Sequence, residues 1–187
     1  MSTGLAAVGV GVMGTALAVT ANAALKIVAP AGPAQSVKAM APVVAATGGF
    51  IALHYFVLFM QSFTGFSVAK SVRDAARKKG EELPSPVKSL RDVKYSSAYT
   101  THPDMLQANR TVGNHMEQMV PFLLSLYGHA LLVDPNRAAL FGWAWIFFRA
   151  CYYPLFRRGP VLLLSTLPAY ALTWWMAGTS VWAAVHL

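Results

Sequence analysis

Charge and sulfur are what this chain has least of. Only 12% of its 187 residues are Asp, Glu, Lys or Arg, seven of them acidic, and Cys151 is its one cysteine. A lone thiol excludes an internal disulfide and every multi-cysteine metal motif. Its place inside an apolar run reads as packed and inert, with a redox or nucleophilic role as the alternative. The chain also lacks a glycine-rich phosphate loop, a serine triad, a carboxylate-pair motif and anything like a channel filter. With 56% hydrophobic residues and a mean hydropathy of +0.46, an ordinary soluble domain of this length is excluded.

What is present instead is long apolar sequence. A hydrocarbon core about 30 Å thick needs about 20 apolar residues per helix, because lipid offers a backbone no hydrogen bonds. Five stretches approach that: Gly4 to Leu25, Val43 to Ala69, about Leu106 to Val133, Asn136 to about Phe156, and Val161 to Val185. Asp134 and Pro135 mark a tight connection between the third and fourth. The first is either a retained helix or a targeting segment, since Ala21-Asn22-Ala23 resembles a small-x-small cleavage site but no Lys or Arg precedes it. Residues 1–42 read as an N-terminal hydrophobic helix and linker. Residues 43–187 read as one membrane domain with a polar insertion at about 71–105, where Pro84, Pro86 and Pro103 predict irregular chain after a short helical extension. The fold class is all-α, an integral membrane bundle of multi-pass type.

The net charge of +8 is concentrated in loops. Lys70, Arg73, Arg77, Lys78, Lys79, Lys88, Arg91 and Lys94 follow the second segment, and Arg157 and Arg158 separate the last two. Alternating helices put both groups on one side, which the positive-inside rule assigns to the cytoplasm, matrix or stroma of an endomembrane or organelle. The basic run is therefore an orientation signal beside anionic membrane lipid, and nucleic acid is not an expected partner.

Polar groups at membrane depth need a reason. Arg110, Asn114, Glu117 and Pro121 recur at i, i+4, i+7 and i+11, one stripe of a helix. An arginine for carboxylates, an amide that donates and accepts, and a carboxylate for an ammonium group together make a cradle for a small zwitterion. Gly142, Trp145, Arg149 and Tyr152 share a face of the next helix. Glu117 and Arg149 are left with two readings, a buried ion pair that sets helix register or direct ligand contact. Pro121 predicts a kink. His115 and His129 lie too far apart along one helix to bind a metal together, and His54 reads as a neutral hydrogen-bonded histidine or, alternatively, a cofactor ligand. No metal site is expected.

The pattern Arg110-x-x-x-Asn114-x-x-Glu117-x-x-x-Pro121-Phe122 followed by Gly142-x-x-Trp145-x-x-x-Arg149-x-x-Tyr152 resembles the signature of the MAPEG family, membrane-associated proteins of eicosanoid and glutathione metabolism that include the microsomal glutathione transferases. The resemblance implies a four-helix protomer of MAPEG type, here with the additional N-terminal helix, assembled as a homotrimer that binds glutathione between subunits. It implies glutathione contacts from Arg110, Asn114, Glu117 and Tyr152, and more loosely from Arg73 and Arg77. Two positions depart from the family pattern: Phe156 stands where a second tyrosine is expected, and Leu163 where one branch of the family has the arginine that activates the thiol. Arg157, Arg158 or a residue of the insertion would have to replace that cation. Two functions follow, a glutathione-dependent transferase or peroxidase acting on lipophilic substrates, or a non-catalytic accessory subunit of a larger photosynthetic or respiratory membrane complex.

Overall fold

The computed structural model describes residues 37–81 and 97–186. The N-terminal apolar segment and Lys88, Arg91 and Lys94 of the insertion lie outside the described residues. Four long helices make the bundle: α1, Ala41–Lys79, entered through a 3-10 turn at Val37–Met40; α3, Pro103–Leu132; α4, Pro135–Ala150; and α6, Leu163–Val185. Two single turns complete it, α2 at Ser97–Thr100 and α5 at Tyr152–Leu155, with a second 3-10 turn at Gly159–Leu162.

Local chemistry sets the helix ends. The Asp134 carboxylate accepts from the backbone N–H of Asn136 at 2.7 Å and of Arg137 at 3.1 Å, and Pro135 occupies the first helical position, where no N–H is needed. His102 and Pro103 repeat the device on α3, with His102 Nδ1 accepting from Asp104 N–H at 3.2 Å. This start lies three residues ahead of Leu106. α1 closes on Gly80, whose φ of 69° lets its N–H turn back to carbonyls of the last turn. The apolar run from Asn136 to Phe156 predicts one helix, but α4 stops at Ala150 and α5 follows as a separate turn. Pro154 is the cause: it has no N–H for the Ala150 carbonyl four residues back.

The core is centred on Phe122 of α3 and Trp145 of α4, fully buried and stacked with ring centroids 4.0 Å apart. Phe50 of α1, Leu126 of α3 and Met176 of α6 surround them. Gly142 lets the helices close up, because a Cβ there would lie 3.0 Å from Leu126 Cδ1 and 3.2 Å from the Ala46 Cβ. Between membrane helices such packing replaces the hydrophobic drive. Gly142→Leu should wedge α1 and α3 from α4 and lower stability by about 1–3 kcal/mol. Unfolding in detergent checks this, and an unchanged midpoint would contradict it.

The outside of the bundle is apolar. Tyr55, Phe59 and Phe66 of α1 and Trp174, Trp175 and Trp182 of α6 are all exposed. Val37–Lys79 and Gly159–Val185 are each long and apolar enough to cross a membrane.

Antiparallel α1 and α3 are held in register by Gln61 Nε2, which donates to Asn109 Oδ1 at 2.8 Å. Beyond that rung α1 climbs about 27 Å to Lys79, whereas α3 reaches its own start at Pro103 in about 9 Å. α1 therefore overshoots the bundle by about 18 Å. Its inward face there, Val68, Ala69 and Val72, packs against Tyr99 of α2 and Met105. At the bundle rim, Gln107 Nε2 donates to the Tyr153 carbonyl at 2.7 Å and Arg157 pairs with Asp104, tying the start of α3 to the connection before α6.

Candidate functional site

The stripe on α3 is an outward-facing one. Arg110 and Glu117 are exposed and Asn114 is half-buried. Seven residues separate the two charges, about 10.5 Å along the axis. Neither is ion-paired among the described residues.

Arg149 comes up beneath this stripe from α4. It is 3% exposed, and its Nη2 donates to Asn114 Oδ1 at 2.5 Å. Its guanidinium lies over the Trp145 ring, 5.6 Å from the centroid, and over the Tyr152 ring at 4.9 Å. No ion pair within 4 Å joins Glu117 to Arg149 in the protomer, one of the two readings open for this pair. Asn114 sits one turn nearer the guanidinium on the edge of α3 that faces α4, while Glu117 stays on the outer stripe. The consequence for Asn114 is directional. With Oδ1 committed to Arg149, its Nδ2 hydrogens remain as the donors of the amide.

Tyr152 is 7% exposed and packs between the Arg149 guanidinium and the Phe156 ring, whose centroid is 5.9 Å away. Phe156 therefore supplies packing where the family pattern has a second phenol. Leu163 is exposed at the start of α6 and brings no charge. Of the cations considered in its place, Arg157 is engaged by Asp104 and Arg158 is exposed. Arg73 and Arg77 are not brought to the stripe. Through the Gln61–Asn109 rung, Arg73 stands about 20 Å further along the bundle axis than Arg110, and Arg77 lies beyond it.

Two features were not visible in sequence spacing because they join different helices. His54 of α1 and His115 of α3 face each other with ring centroids 5.4 Å apart, and Phe50 stacks on His115 at 5.2 Å. His54 Nδ1, His115 Nε2, Trp145 Nε1 and two Arg149 nitrogens are buried without a hydrogen-bond partner. The second feature is a groove of about 570 Å³ between α3 and α6, with Gln118, Pro121, Leu124, Tyr170, Trp174 and Val181 on its walls. Ser125, Thr173 and Ser180 also line it, yet their hydroxyls donate to carbonyls of their own helices, so the wall they present is apolar. Among the described residues no three His, Cys, Asp or Glu side chains converge as metal ligands.

The stripe thus carries a cation and a carboxylate about 10.5 Å apart along the helix axis, neither ion-paired among the described residues, with the Asn114 amide between them. A family model described as the MAPEG family matches residues 43–186. No curated protein matches the chain.

Proposed function

The chain belongs to the MAPEG family, and on that premise we propose that the outer face of α3 holds glutathione for transfer to, or reduction of, a lipophilic acceptor. It is a helical membrane protein of the glutathione and eicosanoid type. The observation that carries this reading is that Arg110 and Glu117, on a helix that reads as membrane-embedded, have no ion-pair partner among the described residues and stand on either side of the Asn114 amide. A bare charge there is costly unless something outside the protomer meets it.

In this reading Arg110 takes a ligand carboxylate, Glu117 the ammonium group, and Asn114 Nδ2 donates to a ligand carbonyl or carboxylate oxygen. Bound glutathione supplies a thiol as nucleophile or reductant. Arg110 and the underlying Arg149 place positive charge beside it, and cations favour the thiolate. Tyr152 packs against Arg149 and holds it in place. The bilayer delivers the acceptor. Because Arg110 and Glu117 point outward, the site is completed by a neighbouring copy in a homotrimer, with the basic loops on the cytoplasmic, matrix or stromal side.

Thioether formation between glutathione and a model lipophilic electrophile tests this. Turnover should fall at least roughly tenfold in Arg110→Ala and in Glu117→Ala, the loss expected for a hydrogen bond to a charged group. Equal rates in native protein and both variants would exclude the cradle. A second reading rests on Phe156 and Leu163, which remove the phenol and the cation of the family pattern, and on Arg157 being engaged by Asp104. There the chain is an accessory subunit of a larger membrane complex. Solubilisation with stoichiometric partner subunits and no thioether formation is its signature.

A further inference from the structure

The extension of α1 beyond the bundle plays no part in the glutathione reading, since its arginines stand about 20 Å from Arg110. Its inward face is used: Ala69, Val72 and Ala76 turn toward the bundle, with Tyr99 of α2 packed against the first two. A second face is more open among the described residues. Lys70, Arg73 and Arg77 recur at i, i+3 and i+7, one stripe of the helix, with Lys70 and Arg77 exposed and Arg73 half-buried.

Among the described residues, acidic groups at this end are few and mostly engaged. Glu81 lies 3.8 Å from Lys79, and Asp104 pairs with Arg157. Asp74 is exposed on the same extension. Among the described residues, then, Lys70, Arg73, Arg77, Lys78 and Arg158 outnumber Asp74, the one acid at this end not in an ion pair and a neighbour of Lys70 and Arg77 on the helix surface, and leave a net positive field.

The bilayer fixes what meets that field first. The apolar run of α1 ends at Ala69, so Lys70 enters the headgroup layer, with Arg73 one turn above it and Arg77 two turns above. Long basic side chains bend back along the helix and place their charge at the phosphates while their stems stay on apolar surface. Phosphate oxygens accept from guanidinium and ammonium donors in the geometry these groups favour. We propose that the Lys70–Arg73–Arg77 stripe of the α1 extension is a binding site for the phosphate headgroups of anionic phospholipids in the adjoining leaflet. The lipid pins the extension against the membrane surface and sets the height of the bundle in the bilayer.

The full chain, reconstituted into nanodiscs of equal parts phosphatidylcholine and phosphatidylglycerol and then extracted, provides the test by native mass spectrometry of retained lipid. Phosphatidylglycerol should be enriched over phosphatidylcholine. The enrichment should fall roughly fivefold for each residue neutralised in Lys70→Gln, Arg73→Gln and Arg77→Gln, the weight of one basic residue near an anionic surface. Raising the salt on the native protein should reduce it in the same way, a measurement that needs no variant to fold. Retention of the two lipids in their bulk ratio by native protein would overturn the proposal. So would enrichment that persists in the triple variant while its unfolding in phosphatidylcholine alone matches the native protein, since the anionic lipid would then be held elsewhere on the chain. Glutathione is absent throughout, so the result does not depend on the function proposed above.

Discussion

Arg149→Met is expected to leave the bundle about as stable as the native protein while weakening glutathione binding by roughly tenfold or more, and Asn114→Leu is expected to do greater harm to stability. The asymmetry comes from which group is left stranded. Arg149 is 3% exposed, and the one hydrogen-bond acceptor it finds is Asn114 Oδ1, with Nε and Nη1 unpartnered. Removing the cation removes a desolvated charge, and replacing buried ionic groups by apolar ones of similar volume is often neutral or stabilising. Methionine also fills the space between Trp145 and Tyr152 with a flexible apolar chain. Removing the amide instead leaves the buried guanidinium with its ring contacts but no hydrogen-bond acceptor among the described residues, which costs about 3 kcal/mol or more. In both variants the ligand loses the oriented Nδ2 donor, directly in Asn114→Leu and through loss of its anchor in Arg149→Met. Binding calorimetry together with detergent unfolding separates the two effects. Equal destabilisation by both changes would show that Arg149 is held by something other than Asn114.

Trp145→Ala should be the most damaging single truncation, at about 3–5 kcal/mol. The indole is fully buried, stacked 4.0 Å from Phe122, and within 6.0 Å of the rings of both Phe50 and His115. It also floors the Arg149 guanidinium. One cavity would thus loosen α1, α3 and α4 together and release the cation beneath the α3 stripe. Trp145→Phe keeps the stack and should recover most of the loss. A melting temperature in Trp145→Ala close to native would mean that the aromatic column is not what holds these helices.

Much of the fold was legible because its signals are local. Runs such as Val43 to Ala69 announce a spanning helix by composition alone, and Asp134-Pro135 announces a turn by capping chemistry. The end of α4 was harder to read, since Cys151 to Phe156 stays apolar and only the missing N–H of Pro154 ends the helix. The site was legible as a stripe but not as a set of contacts. Asn114 and Glu117 differ by three positions on α3, so spacing leaves either within reach of Arg149. The choice is made by the rotation of α4, which Gly142 against Leu126 and Trp145 against Phe122 determine. The same holds for His54 and His115, whose meeting depends on the register of α1 against α3. Arg73 and Arg77 matched the family pattern only loosely. The unbroken helix through Ala69 carries them past the rim of the bundle instead.

The proposed ligand site on the outer face of α3 joins Arg110, Asn114 and Glu117. Its most direct test is calorimetric titration of the purified chain in detergent with glutathione, run in parallel on Glu117→Gln, which keeps shape and removes the charge. Saturable binding by native protein, weakened at least roughly tenfold in the variant, is the predicted result. Absence of binding by the folded native chain, or the same affinity in Glu117→Gln, would contradict it.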